Sequence, residues 1–250
     1  MVKSPESSKQ SGAGCSASGK KYEIKVATVC KLVRSPHVAI PFNTQKTEEL
    51  GGCGSDIDIK LNWLAENDIW VEAKRPTPDW MQMSLKKNAE GAWAGGEKTK
   101  IPLESKKIFE KVLGNLHLFG DKTPTFLERP VTHSEWTDIL KHTPEFGNHY
   151  IECESTTISD LYKAKKCHYI QISGKGLYHT GNDICGFGVP YFECPQQIRI
   201  RMKVHHSDGG DGYMRLSVMA AAQPVDLKKL VASPLSLDSI EQLPKSLIKI

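Results

Sequence analysis

Two kinds of spacing organise the chain: alternation with period 2, which marks half-buried strands, and recurrence at three and four residues, which marks amphipathic helices. The alternation is sharpest in two neighbouring segments. Ile57, Ile59 and Leu61 interleave with Asp56, Asp58 and Lys60, while Ile69, Val71 and Ala73 interleave with Trp70, Glu72 and Lys74. Residues 62–68 between them (NWLAEND) are rich in turn formers and long enough for a hairpin connection. That connection predicts the Asp56/Asp58 face beside the Glu72/Lys74 face.

Upstream, Tyr22, Val26, Val29 and Val33 recur at helical spacing within residues 21–34, although Ile24, Val26 and Thr28 also permit a strand. Ser35-Pro36 ends the segment, because the residue before proline avoids helical geometry. Downstream, the run RPTPD (75–79) stops the second strand, and Asp79 is a cap signal for a helix over residues 80–87 with Gln82 on its first turn. Residues 91–100, small and glycine-containing, read as a loop over substrate or as a connector. Ile108, Phe109, Val112, Leu113 and Leu116 predict an amphipathic helix over 106–119, with Gly120 past its end. Thr132 and Glu135 form a capping-box pattern opening a short helix through Ile139 and Leu140.

From Tyr150 the pattern predicts a short strand at 150–153 and a helix around Ile158, Leu161 and Tyr162 ending in Lys163, Lys165 and Lys166. A strand over 168–172 and a tight turn at Gly174-Lys175-Gly176 follow. Ile198, Ile200, Met202 and Val204 then alternate with Arg199, Arg201, Lys203 and His205, so one face of that strand is apolar and the other basic. A further strand over 214–222 pairs with it across the loop of residues 206–212. The tail from Pro224, with Leu227, Leu230, Val231, Leu235, Leu237, Ile240 and Leu243, is apolar enough to dock on the body or on a second subunit.

A chain of 250 residues accommodates one large domain or two small ones. The first 19 residues, rich in Ser, Gly and Lys, read as a disordered tail, residues 20–145 as the core carrying the charged hairpin, and residues 146–250 as a β-rich half of the same body. The formal charge of +4 is mild and by itself argues for no particular partner. Seven cysteines without a C-x-x-C pair and without a secretory signal predict reduced thiols in an intracellular, cytoplasmic protein. No apolar run approaches the roughly 20 residues of a membrane span, so no membrane partner is expected.

The charged hairpin carries the candidate chemistry. Carboxylate-rich sites suit Mg2+, with Mn2+ as substitute, because magnesium takes one or two carboxylates together with waters and substrate phosphate oxygens. A nearby lysine hydrogen-bonds the attacking water or neutralises charge building on the phosphate. Phosphodiester hydrolysis is the reaction that this set suits. A solvated hairpin face is the alternative, since charged residues two apart line many edge strands.

At Asp56, Asp58, Glu72, Ala73 and Lys74 the sequence resembles the PD-(D/E)XK nuclease superfamily. The resemblance covers one motif, not the whole chain. It implies an α/β fold with a mixed central β-sheet flanked by helices, a restriction-endonuclease-like core. It also implies metal binding by Asp56 or Asp58, by Glu72 and by the Ala73 backbone carbonyl, with Lys74 orienting water and Gln82 supporting the site. No proline precedes either aspartate. The glutamate that the family often places on an earlier helix has Glu23, Glu48 and Glu49 as candidates.

The implied activity is magnesium-dependent cleavage of double-stranded DNA, of type II restriction kind, for which a homodimer is expected. A structure-directed nuclease and a catalytically silent DNA-binding module are the alternatives. Lys163, Lys165, Lys166, Arg199, Arg201, Lys203 and His205 are candidates for holding phosphates, with a plain solvated basic face as the bland reading. His205, His206, Asp208 and Asp211 form a weaker metal candidate that reads better as a loop, and the spacing of Cys185 and Cys194 is wrong for a zinc knuckle.

Overall fold

The computed structural model describes residues 5–33, 43–46, 59–62, 69–76, 79–96, 99–114, 116–120, 123–143, 148–206 and 212–248. In chain order its first elements are α1 (Pro5–Cys30), β1 (Asn43–Lys46), β2 (Ile59–Asn62), β3 (Ile69–Lys74), β4 (Met81–Lys87), β5 (Trp93–Gly95), α2 (Leu103–Leu113) and β6 (Val131–Thr132). There follow α3 (His133–His142), β7 (His149–Cys153), α4 (Thr157–Ala164), β8 (Tyr169–Ile172), β9 (Gly176–His179), β10 (Gln196–His206) and β11 (Tyr213–Pro224). The protein is thus of mixed α/β class. No helix among the described residues is long and apolar enough to cross a membrane.

The chain divides into two compact units, and both are discontinuous in sequence. One comprises Met1–Thr77, Tyr162–Glu193 and Leu227–Ile250; the other comprises Pro78–Leu161 and Cys194–Asp226. The division expected near residue 145 is therefore replaced by an interleaved one. Its physical origin lies in the first unit's sheet, ordered β1-β2-β3-β8-β9. β1, β2 and β3 run antiparallel in succession, but β3 and β8 are parallel, with Glu72 opposite Ile170 and Lys74 opposite Ile172. Parallel neighbours need a long crossover connection; this one carries β4 to β7 of the second sheet, and β10 and β11, inserted after β9, complete that sheet.

In the first unit, Ile59, Ile69, Val71, Ala73, Tyr169 and Leu177 of the strands pack with Tyr22, Val26, Val29 and Cys30 of α1. Spacing of three and four places those α1 side chains on one stripe, as expected, and burial of each aliphatic chain contributes about 1.5–3 kcal/mol. The helix starts at Pro5, so residues 5–19, expected as a disordered tail, belong to it. Proline is at home in a first turn, and once the later turns are anchored each added residue propagates the helix without a new nucleation cost. The apolar tail docks on this same core through Leu235, Leu237, Leu243 and Leu247. Gly176, at φ 107, permits that approach, because a Cβ there would lie 2.7 Å from the Leu235 carbonyl oxygen.

The second unit's sheet is antiparallel, in the order β5-β4-β11-β10-β7, with β6 also on β11. Its long hairpin pairs β10 with β11 from Gln196 opposite Pro224 to His206 opposite Met214. The helix expected over residues 80–87 is instead β4. Met81, Met83 and Leu85 are buried and alternate with less buried Gln82, Ser84 and Lys86, the period of a strand laid on β11. Asp79 is no cap either: it sits at φ 72, outside the extended region a capping residue uses, and its carboxylate accepts hydrogen bonds from Arg201 and Gln223. Within residues 91–100 the chain forms β5. α2 is amphipathic as predicted but ends at Gly114, before Gly120. The capping box of α3 is present in both directions, Glu135 N to Thr132 Oγ1 at 3.2 Å and Thr132 N to Glu135 Oε2 at 2.8 Å.

Gln171, fully buried on β8, joins three parts of the first unit. Its Oε1 accepts from Leu237 N at 2.9 Å, and its Nε2 donates to Tyr22 Oη and to Ser236 Oγ, each at 3.3 Å. Gln171→Leu strands the Leu237 N–H in the core and is expected to lower stability by about 2 kcal/mol. A denaturant titration checks this; an unchanged midpoint would show that the amide network is dispensable.

Candidate active site

Alternation along β3 sends Ile69, Val71 and Ala73 into the α1-facing core and Glu72 and Lys74 to the opposite face. With Lys74, Lys165 and Tyr162 packed over that face, Glu72 is only 3% exposed. A charge so buried must be paired. Its Oε1 lies 2.6 Å from Lys74 Nζ and its Oε2 3.3 Å from Lys165 Nζ. Both ammonium groups lie over the Tyr162 ring, at 5.8 and 5.9 Å from its centroid, where the negative π face adds attraction.

The electrostatics follow from this packing. Burial alone would raise the Glu72 pKa, but the charges of Lys74 and Lys165 and the hydrogen bonds from both outweigh it, and the carboxyl is held below its usual range. Glu23, on α1, behaves oppositely. Burial pushes its carboxyl up; the charge of Lys74 opposes that shift, and the charge of Glu72 reinforces it. Glu23 is therefore in the electrostatic field of both β3 residues. Nearby, Arg75 Nη1 donates to Ser18 Oγ at 2.7 Å, fastening α1 to the end of β3.

Among the expected site residues, the structure brings together Glu23, Glu72 and Lys74. Asp56, Asp58, Glu48 and Glu49 lie outside the described residues. The Ala73 carbonyl, expected as a metal ligand, belongs to a β3 residue paired in register with Gln171. Gln82, expected on a helix after Lys74, lies on β4 in the second unit, opposite Ala221, and its buried Oε1 has no hydrogen-bond partner.

The expected phosphate-binding lysines separate. Lys165 is the second cation on Glu72, with a side chain only 7% exposed, while Lys163 is on the surface and Lys166 adopts a left-handed φ of 63. Lys165 was legible only as one of a basic cluster, because its partner lies 93 residues away in sequence and meets it through the parallel β3–β8 pairing. Arg199 and Arg201 both reach Asp79, and His205 Nε2 lies 2.7 Å from Ser217 Oγ.

Among the described residues no cluster of three or more His, Cys, Asp or Glu side chains forms a metal centre. Glu72 and Glu23, the two carboxylates that feel one another's charge here, are the number magnesium takes from a protein, one or two. No family model, no curated protein and no solved structure matches the chain.

Glu72→Gln removes the countercharge of two lysines and is expected to cost about 3 kcal/mol at neutral pH. A carboxylate with a depressed folded pKa contributes fully above its unfolded value, near 4.5, and its contribution is lost as pH falls through the lower folded value. The stability gap between wild type and Glu72→Gln should therefore hold at neutral pH and close only below about pH 4.5, as read by thermal melts across pH. A gap that does not change in acid would mean that Glu72 is not the charged partner.

Proposed function

We propose that the protein is a metal-dependent nuclease that hydrolyses DNA phosphodiester bonds at the Glu72–Lys74 site, in the manner its PD-(D/E)XK resemblance implies. The observation that carries this reading is the Glu72–Lys74 pair itself, 2.6 Å apart on one face of an internal strand, with Glu23 acting on both from an earlier helix. A solvated hairpin face, the bland alternative, accords poorly with a glutamate 3% exposed. Two further features support the reading. β2 and β3 pair antiparallel with Ile59 opposite Val71, and the sequence puts Asp58 next to Ile59 just as Glu72 is next to Val71. A mixed sheet with helices is also the fold class that the resemblance implies.

In this reading Glu72, the Ala73 carbonyl and one of Asp56 and Asp58 would hold magnesium, with Glu23 as a further carboxylate beside them. The ion, when bound, supplies positive charge to the phosphoryl oxygen undergoing attack. Lys74 keeps one hydrogen bond on Glu72 and directs its remaining N–H donors to the attacking water or the phosphate. Lys165 shares the Glu72 charge, so that Lys74 need not supply it alone. Tyr162 lines the site with an apolar ring that keeps water from competing at the ammonium groups. Within this class, a restriction-type enzyme acting as a dimer on duplex DNA is the finer proposal. A structure-directed nuclease is the second reading, favoured by the exposed tyrosines of the second unit's sheet.

Incubation with plasmid DNA tests the proposal. Cleavage is expected in magnesium, none in EDTA, and a loss of at least about a hundredfold in Lys74→Ala, the cost of removing one transition-state donor. Discrete fragments indicate sequence specificity, whereas preference for branched over linear DNA indicates the second reading. Cleavage that survives Lys74→Ala, or none in any divalent metal, would overturn the assignment.

A further inference from the structure

We propose that the polar face of the second unit's sheet is a platform for an extended single strand of nucleic acid. The inference goes beyond the cleavage reading and stands whether or not Glu72 and Lys74 act on phosphodiesters. It starts from the alternation of β10. Ile198 and Ile200 are buried on one face, while Arg199, Arg201 and Lys203 emerge on the other. Same-face residues on a strand are about 6.8 Å apart, so the three cations form a straight row that a backbone of evenly spaced phosphates can follow. Register adds Arg215 of β11, opposite His205, to the far end of the row.

The two arginines are held in place. Asp79 Oδ2 accepts from Arg201 Nε at 3.1 Å and from Arg199 Nη1 at 3.5 Å, and Arg199 Nε donates to Asn148 Oδ1 at 2.8 Å. Each guanidinium has five N–H donors, more than these contacts use. One carboxylate against two guanidinium groups leaves a positive balance.

Two tyrosines set the choice of partner. Tyr150 of β7 stands opposite Arg199 and is 53% exposed; Tyr213 of β11 lies on the same face and is 48% exposed. Tyr213 is eight residues along β11 from Ala221, the partner of Arg199, so the tyrosines lie about 27 Å apart along the strand direction. The centre of β11 is covered at Met219 and Ala221, so the accessible strip follows β10 and the two ends of the hairpin. Aromatic rings flanking a row of cations suit bases that are unstacked and unpaired, because a duplex keeps its base faces inside. A duplex would offer this face phosphates alone.

The test uses the full chain in EDTA, so that cleavage does not enter. Fluorescence anisotropy would compare labelled oligo-dT and oligo-rU of about 20 nucleotides, longer than a typical single-strand site, with a duplex of equal length. Either single strand should bind at least about tenfold more tightly than the duplex. Tyr150→Ala should weaken that binding by on the order of tenfold, and Arg215→Ala should reduce the salt slope by about one, both with unchanged melting temperature. Both side chains are exposed, so neither variant should fail to fold. Duplex bound as tightly as both single strands, no binding of either single strand, or full affinity in both variants would overturn the proposal.

Discussion

A carboxylate enclosed in a β-sheet governs the arrangement of the first unit. Glu72 lies on β3 opposite Ile170 of β8, one residue past the β2 pairing, and its side chain is almost without solvent. Isolated, such a charge would cost several kcal/mol to bury and would protonate instead. It stays ionised because two ammonium groups reach it, one from its own strand and one from the turn after α4. The second of these needs the parallel pairing of β3 with β8, which brings the end of the crossover to the strand it left. Sheet topology and charge balance thus enforce each other, and Tyr162 adds its ring face beneath both cations.

The same balance shapes what the site can do. Glu72 and Glu23 are shifted in opposite directions, one held ionised by its lysines and the other discouraged from ionising by burial and by Glu72. Two carboxylates so divided are a means of keeping a proton or a cation near one of them without losing the charge of the other. In the proposed reaction Glu72 and Glu23 would be the residues that offer carboxylates to a divalent ion, while Lys74 and Lys165 remain paired with Glu72.

The second unit uses charge differently. Asp79 gathers Arg199 and Arg201 through a backbone conformation at φ 72 that few non-glycine residues adopt. The sequence carries both a cap signal and a period-2 apolar run at Met81, Met83 and Leu85, and the choice between them went to the element with a sheet to pair with. Isolated propensity is worth tenths of a kcal/mol per residue, whereas a buried row against β11 is worth several.

Alternation and spacing by themselves determined much of this protein: the β2–β3 hairpin, the α1 stripe, α2 and the capped α3, the β8–β9 turn and the β10–β11 hairpin. These are local features, set by side-chain period and by turn or cap residues a few positions apart. The Glu72 and Lys74 pair was legible for the same reason, being two apart on one strand. Tertiary structure alone decided the rest, namely the placing of Glu23 in the field of Glu72 and Lys74, the entry of Lys165 beside Glu72, the parallel β3–β8 pairing and the interleaving of the two units. Each of these joins residues far apart in the chain, and no local period records which distant segment will satisfy a buried charge or an unpaired strand edge.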